Sequence, residues 1–190
     1  MADRSLVFMP FIISKTTLPD VLQIEAKVFP DSRGFFSEHF KMSEFEKNGV
    51  TAHFAQDNFS VSRKGVVRGL HFQKNPDAQG KLVSVVKGKI WDVAVDIRKS
   101  SPTFKQWVGV ELSDENRMQL YIPEGFAHGF VALEEDTRVL YKTTREYSAA
   151  ADSGIVYNDP DLGIPWPVEN PIVSEKDLQL PLLANAELFE

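Results

Sequence analysis

Short β-strand patterns, separated by turn residues and with little helix between them, constrain the fold of this chain more than any other feature. Residues 89–97 show the pattern most clearly, because their side chains alternate between two faces. One face is apolar and carries Trp91, Val93, Val95 and Ile97. The opposite face carries Asp92, Ala94 and Asp96. An alternation with a period of two is the geometry of a β-strand.

The remaining strand patterns set the fold class. Residues 81–86 precede the turn at Lys87-Gly88, which predicts that this strand and the next one pair as a hairpin. Further short strands are predicted at 107–112, 119–122, 130–133 and 137–144. Many short strands at this spacing, with little helix, predict an all-β sandwich or barrel.

Two short helices are predicted beside these strands. Ser43 and Glu46 form a capping-box pattern, and Asn48-Gly49 is suited to end the helix in a left-handed conformation. Beyond Tyr147 the chain becomes rich in loop residues, and Ser174 is the expected start of a second short helix.

The composition excludes several classes of protein. The 190 residues contain no cysteine, which excludes disulfides and sulfur-ligated zinc, and the formal charge of −6 argues against a nucleic-acid binder. No repeat or linker divides the chain, so residues 1–190 are predicted to form a single domain. The apolar segment 6–13 is too short to cross a membrane and is broken by Pro10. It is interpreted as a strand of a cytoplasmic protein.

The histidines raise the question of a metal site. His71 and His128 lie in strand-and-turn segments, and imidazole is a common metal ligand. A His-x-His pair with a nearby carboxylate would be expected of such a site, but Gln73 occupies the partner position. Lys81, a cation that would repel a metal ion, follows on the next strand. We therefore expect no metal.

Proton transfer fits these residues better. His71 is suited to act as a base near neutral pH, and Lys81 is suited to stabilise an enolate oxygen. Tyr141 offers a phenol as proton donor. Each residue alone has a structural interpretation: a strand histidine, a half-buried tyrosine, and Asp177 as part of a helix cap after Ser174.

Two arginines beside turns are candidates for phosphate binding. Arg33 and Arg68 each stand directly before a glycine, where a guanidinium can bind phosphate through two hydrogen bonds. A surface ion pair is the alternative for each of them. Gln56 and Asn58 are placed to read the edge of a base, although a polar turn explains them equally well.

Five segments together resemble one family over roughly residues 17–183. They read DSRGFFSEHF, QDNFSVSRKGVVRGLHFQ, QGKLVSVVKGKIWDVAVDIRKSSPTF, YIPEGFAHGF and GIVYNDPDLGIPWP. The chain thereby resembles the dTDP-4-dehydrorhamnose 3,5-epimerase family. This resemblance implies a cupin-type jelly-roll barrel with a few short helices, used as a homodimer without metal or cofactor.

The resemblance also implies roles for individual residues. His71 corresponds to the proton acceptor, Tyr141 to the proton donor, Asp177 to the carboxylate paired with the base, and Lys81 to the cation beside the keto oxygen. Positions that contact the substrate in the family correspond to Arg33, Phe36, Glu38, Gln56, Asn58, Arg68, His128, Asp152 and Lys176. At Asp152 the family more often has glutamate.

The implied reaction converts dTDP-4-dehydro-6-deoxy-D-glucose to dTDP-4-dehydro-L-rhamnose by inversion at C3 and C5, a step of dTDP-rhamnose biosynthesis. A ketone at C4 acidifies the hydrogens on both of these carbons, so no redox cofactor is required. Three alternatives remain open: a relative that epimerises one carbon only or isomerises the ketone, although Tyr141 argues against a plain ketoisomerase; a metal-dependent cupin oxygenase; and a barrel that binds sugars without catalysis.

Overall fold

The computed structural model describes residues 10–190, and within them β-strands predominate. The strands are β1 (Phe11–Lys15), β2 (Leu22–Ala26), β3 (Val28–Asp31), β4 (Gly34–Ser37), β5 (Gln56–Ser62), β6 (Val67–Gln73), β7 (Lys81–Lys87), β8 (Lys89–Asp96), β9 (Trp107–Ser113), β10 (Met118–Ile122), β11 (Phe126–Ala132), β12 (Thr137–Thr143) and β13 (Asp152–Gly154). The helices are α1 (Met42–Lys47), α2 (Glu175–Leu178) and a 3-10 turn at Leu183–Asn185.

Eleven of the strands form two large antiparallel sheets, and β3 and β4 pair with each other as a separate hairpin. The six-stranded sheet has the order β1-β2-β10-β7-β12-β5, and the five-stranded sheet has the order β13-β6-β11-β8-β9. Neighbours within each sheet are mostly distant in sequence, because the chain crosses repeatedly from one sheet to the other. Two sheets connected in this way form a jelly roll. The predicted fold class, an all-β jelly-roll barrel with a few short helices, is confirmed.

The predicted hairpin at Lys87-Gly88 is wrong. Strand β7 pairs with β10 and β12 in the six-stranded sheet, whereas β8 pairs with β11 and β9 in the other sheet. Gly88 has a φ of 79°, a conformation that favours glycine. It turns the chain from one sheet into the facing sheet, so β7 and β8 form opposite walls of the barrel.

The alternation of β8 is confirmed, and both of its faces are buried. Ile90 and Ala94 pack in the cluster between the two sheets, and Asp92 and Asp96 lie on this same inward face. The other face packs against the loop-rich C-terminal segment through Trp91, Val93 and Val95. Because the second face is covered by the C-terminal segment, the polar face of the strand can point into the barrel.

Helix α1 begins one residue before the predicted cap. The preceding residue is Lys41, which makes no side-chain capping bond, so the capping box at Ser43 and Glu46 is wrong. Phe45, inside this helix, is fully buried and packs edge-on against Phe11. The end is as predicted, with Gly49 at a φ of 88°.

Other boundaries follow the sequence closely. Strands β9, β10 and β12 differ from their predicted ranges by one residue at one end. Strand β11 begins at Phe126 rather than residue 130, which places His128 within it. Of the predicted strand at 6–13, positions 6–9 lie outside the described residues and 11–13 belong to β1. No helix within residues 10–190 has the length and apolar character needed to cross a membrane. The single domain stays a prediction.

Candidate active site

A cavity of about 410 Å³ lies between the two sheets. Its lining combines side chains from both walls with residues from the loops at its mouth: Gln56, Asn58, His71, Phe72, Gln73, Gln79, Lys81, Tyr141, Tyr147, Asp152 and Lys176. Strand register explains the arrangement, since cross-strand partners share a face. Tyr141 is opposite Asn58 on the neighbouring strand. Thr143, two residues further along the same face, is opposite both Gln56 and Lys81. Tyr141, Asn58, Gln56 and Lys81 therefore all face inward from the six-stranded sheet.

The five-stranded sheet supplies His71 on the facing wall. The Nε2 atom of His71 lies 2.8 Å from Oδ1 of Asp177, and the side chain of Asp177 is only 7% exposed. Because the charged carboxylate can only accept, Nε2 carries the proton and Nδ1 is left as the acceptor. This arrangement is that of an oriented general base.

Asp177 and His71 are 106 residues apart in the sequence. Asp177 lies in helix α2, and the position of this short helix brings its carboxylate to the imidazole. Ser174 caps this helix by accepting a hydrogen bond from the Asp177 amide at 3.1 Å, as predicted. The carboxylate of Asp177 also accepts a hydrogen bond from the Gly69 amide at 3.2 Å. Gly69 has a φ of 118°, and a Cβ there would lie 2.6 Å from the Cα of Gly129. Only glycine fits at this contact.

The charge of Asp177 is stabilised by its partners. Burial raises the pKa of its carboxyl, but the hydrogen bonds from His71 and Gly69 outweigh that effect, and the net pKa is lowered. Asp177 is therefore a carboxylate at neutral pH, as an orienting partner for the base must be.

Lys81 faces the same space from β7 and is only 8% exposed. Its Nζ donates to the backbone carbonyl of His71 at 3.3 Å. Burial lowers its pKa to about 8, against the attraction of Asp92 and Asp152, which raises it. The group is thus a cation at neutral pH that is shielded from water, which strengthens its interaction with a developing negative charge.

Tyr141 lies on the wall opposite His71. It packs against the apolar cluster between the sheets, and burial raises the pKa of its phenol, while Arg68 lowers it. Among residues 10–190 its hydroxyl has no hydrogen-bond partner. A protonated phenol that faces the base across a cavity is suited to donate a proton from the opposite side.

The mouth of the cavity is polar. Asp152 accepts hydrogen bonds from Lys176 at 2.6 Å and from the Tyr147 hydroxyl at 3.1 Å. Gln56 donates to Asn58 at 2.8 Å, and Gln56 also accepts from the Tyr147 amide at 2.9 Å. These contacts connect four predicted binding residues with an aromatic ring beside the opening.

Five predicted substrate-contacting residues do not line this cavity. Arg33 is at the tip of the β3–β4 hairpin, 87% exposed and ion-paired with Asp31. Phe36 is on the same hairpin and is exposed, and Glu38 follows it, ion-paired with Lys41 at 3.5 Å. In a single copy of the chain, Arg33 therefore forms a surface ion pair, which was the alternative to phosphate binding.

Arg68 and His128 lie near the cavity without lining it. Arg68 donates to the Ser62 hydroxyl and the Val61 carbonyl, and within residues 10–190 it forms no ion pair. His128 is opposite His71 in the strand register, and its Nε2 lies 2.7 Å from Oδ1 of Asp92. Both side chains of this pair are buried, which lowers the pKa of His128 despite the attraction of Asp92.

Sequence reasoning missed Phe72, Gln73, Gln79 and Tyr147 as lining residues of the cavity. Tyr147 follows β12 by four residues and is 57% exposed, which is unusual for so large an aromatic ring. An aromatic residue just beyond the strand that carries Tyr141 was the available signal. Across residues 10–190, no three His, Cys, Asp or Glu side chains cluster as metal ligands would.

Comparison with known proteins identifies the family of this chain. The model of the dTDP-4-dehydrorhamnose 3,5-epimerase family matches residues 15–185. The chain belongs to the dTDP-4-dehydrorhamnose 3,5-epimerase family. As a member of this epimerase family it is an isomerase, so the family and enzyme class predicted from sequence are confirmed.

The chain is similar in sequence and structure to individual members of this family. It is 55% identical to dTDP-4-dehydrorhamnose 3,5-epimerase of Salmonella typhimurium over 94% of this chain and 99% of that one. It is 48% identical to dTDP-6-deoxy-D-glucose-3,5-epimerase of Legionella pneumophila, solved in complex with dTDP-4-keto-L-rhamnose, with a TM-score of 0.89 over 92% and 94% of the two chains. A 3'-monoepimerase of Streptomyces bikiniensis, solved with dTDP-quinovose, is 32% identical, with a TM-score of 0.83 over 90% and 87%.

Proposed function

We propose that this chain inverts C3 and C5 of dTDP-4-dehydro-6-deoxy-D-glucose to give dTDP-4-dehydro-L-rhamnose, a step of dTDP-rhamnose biosynthesis. The observation that carries the proposal is the His71–Asp177 pair at 2.8 Å on one wall of a cavity whose other wall carries Lys81 and Tyr141. The names of the similar epimerases supply the substrate class.

The first step is removal of a proton next to the ketone. Nδ1 of His71 takes the hydrogen from C3 or C5, and Asp177 stabilises the imidazolium that forms. The electron pair of the broken C–H bond becomes the enolate, whose oxygen is held by the ammonium group of Lys81.

The second step is reprotonation on the opposite face. Tyr141 donates its phenolic proton to the carbon, and the enolate returns to the ketone. The imidazolium then loses its proton to water, and the tyrosinate takes one from water, so the enzyme is unchanged. Base and acid on facing sheets supply the two directions that inversion of a carbon centre requires.

Substrate binding is assigned to the polar groups around the cavity. The diphosphate is an anion, and Arg68 and Lys176 are cations near the mouth, where charge-assisted bonds would hold the sugar in position. Gln56 and Asn58, with Asp152 beside them, offer donors and acceptors to the nucleotide. His128 lies beside His71 on the neighbouring strand of this wall.

We also infer that the chain acts as a homodimer. Phe35 and Phe36 on the β3–β4 hairpin, and Phe59 on the edge strand β5, are each more than half exposed, and exposed apolar rings of this kind can mark an interface. Arg33 and Glu38 lie beside Phe36 and outside the cavity of their own chain. A second copy would cover the apolar rings and could bring these residues to a substrate.

Epimerisation of a single carbon is the alternative function. Similarity favours the double reaction, since identity is 55% to a 3,5-epimerase and 32% to a 3'-monoepimerase. The test is NMR of dTDP-4-keto-6-deoxyglucose with the enzyme in deuterated water. Deuterium at both C3 and C5 is expected; deuterium at one carbon would identify a single-site epimerase, and none would point to a binding protein.

We propose that catalysis needs no metal, because Gln73 and Lys81 occupy the positions where a cupin metal site would have ligands. Activity should survive exhaustive chelation and dialysis. Loss of activity with EDTA that one specific divalent ion restores would favour the cupin oxygenase interpretation instead. A cytoplasmic location without nucleic-acid or membrane partners is part of the same proposal, and the formal charge of −6 argues against nucleic-acid binding.

A further inference from the structure

Strand β8 directs two aspartates into the barrel, and their surroundings differ. Asp96 is fully bonded, since its carboxylate accepts from Arg98, Ser101 and Thr103. Asp92 is fully buried as well, but only its Oδ1 is bonded, to Nε2 of His128 at 2.7 Å. Its Oδ2 has no hydrogen-bond partner among residues 10–190. A half-bonded carboxylate in the core is costly to keep, so a functional reason is expected.

The charge of Asp92 acts on Lys81. Lys81 faces inward from the six-stranded sheet, and Asp92 faces inward from the five-stranded sheet, so the two side chains point into the same space. Among residues 10–190, the ammonium group has a single hydrogen bond, to the uncharged carbonyl of His71, and no salt bridge. Its charge must therefore be stabilised over a distance in a poorly hydrated interior.

The groups around Lys81 leave few sources for that stabilisation. The titratable side chains that face it are His71, Asp92, His128, Tyr141, Asp152 and Lys176. Asp177 is bonded to His71 and Gly69. Asp152 is already paired with Lys176 and lies at the mouth of the cavity, where water screens its charge.

His128 does not cancel the charge of Asp92. The imidazole is buried, and burial lowers its pKa although Asp92 raises it. A neutral His128 donates its Nε2 proton to Asp92 and leaves the negative charge of the carboxylate in place. The charge of Asp92 is therefore not neutralised by its hydrogen-bonded partner, and its field acts on Lys81 with little screening.

We propose that Asp92 is a positioning residue that keeps Lys81 cationic in the cavity, so that Lys81 can hold the enolate oxygen. The catalytic consequence rests on the proposed function, because it assumes that Lys81 stabilises the enolate. The electrostatic link between the two residues does not depend on any reaction. The two parts can therefore be tested separately.

The first test measures the charge of Lys81 without substrate. The full-length protein is labelled with ¹³C at the lysine ε-carbon, the Lys81 resonance is identified with Lys81→Arg, and its shift is followed against pH. The parent midpoint should be about 8. In Asp92→Asn it should fall by about one pH unit or more, because an opposite charge has been removed.

Matched variants separate charge from packing. Asp92→Glu keeps the charge and should keep the midpoint near that of the parent, while Asp92→Ser should lower it as Asp92→Asn does. Asp96→Asn removes another buried carboxylate from the same face of β8 and should leave the midpoint unchanged. An unchanged Lys81 midpoint in a folded Asp92→Asn or Asp92→Ser protein would overturn the proposal.

The second test compares kcat/KM of parent and Asp92→Asn between pH 6 and pH 8. If the midpoint drops from about 8 to about 7, the ratio of the two rates should rise from near one at pH 6 to about fivefold at pH 8. A purely structural role would lower the rate equally at every pH. A shifted midpoint with a pH-independent ratio would retain the electrostatic link but refute the enolate role of Lys81.

Discussion

Replacing Asp177 with asparagine tests the proposed base most sharply, because the structure specifies what an amide at this position must do. The carboxylate accepts from two donors, His71 at 2.8 Å and the Gly69 amide at 3.2 Å. Asparagine offers one acceptor and one donor group. If its NH₂ group faces His71, it donates to Nε2 and places the imidazole proton on Nδ1, the atom that should act as base.

In the opposite orientation the side-chain oxygen of asparagine accepts from Nε2 of His71, which leaves Nδ1 free to act as the base, but this costs free energy. The NH₂ group then faces the Gly69 amide, and two donors meet at a buried position, which costs about 1–3 kcal/mol. Loss of the charge-assisted bond to the imidazolium adds about 1 kcal/mol. The sum of about 2–4 kcal/mol corresponds to a rate about 30- to 1,000-fold lower.

The assay is the initial rate of deuterium incorporation at C3 and C5 in deuterated water, with folding checked by thermal melting. Asp159→Asn is the matched control, since Asp159 is also buried and accepts from the backbone amides of Leu162 and Leu183. It should lower the melting temperature and keep the exchange rate. A folded Asp177→Asn protein that exchanges as fast as the parent would refute the role of Asp177.

Three further outcomes are expected. Tyr141→Phe should exchange C3 and C5 hydrogens faster than it forms inverted product, measured together by NMR; a parallel collapse of both rates would mean that Tyr141 is needed for enolate formation itself. Arg68→Ala should weaken binding of the nucleotide sugar by about 1.5–3 kcal/mol in calorimetry, and equal affinity would rule out a phosphate contact. Asp96→Asn should remove an acid-dependent part of stability. Burial raises the pKa of Asp96, but hydrogen bonds from Arg98 and its neighbours lower it from 3.8 to about 2, so the parent should lose about 2 kcal/mol between pH 5 and pH 2 that the variant does not. Denaturant unfolding with equal acid dependence in both proteins would contradict this.

The fold was predictable where local patterns determine it. The alternation of residues 89–97 predicted β8, and Gly88 predicted a turn. The sheet that the next strand joins was not predictable, because a positive φ specifies a change of direction and not a pairing partner. The cap at Ser43 was not predictable from the local pattern either, because the helix begins at Met42 and the residue before it, Lys41, makes no side-chain capping bond.

The candidate site was predictable in its residues more than in its geometry. His71 and Asp177 were chosen through the family resemblance, but their contact spans 106 residues and depends on how the C-terminal segment packs over β6. Local periodicity carries no information on such a contact. The buried pair of His128 and Asp92 was missed because an aspartate on an alternating strand resembles a solvent-facing residue until the second face of that strand is seen to be covered.

The C-terminal segment that packs over the outer face of β8 helps to explain how the barrel interior accommodates polar site residues. A sandwich with one solvated face per sheet must fill its interior with apolar side chains. Here the C-terminal segment buries Trp91 and Val93 on the outside of the five-stranded sheet, so part of the core lies outside the barrel. The interior is thereby free to accept Asp92 and Lys81 beside apolar residues. Charges in that space act with little screening, and the two facing sheets hold base and acid on opposite sides of whatever enters between them.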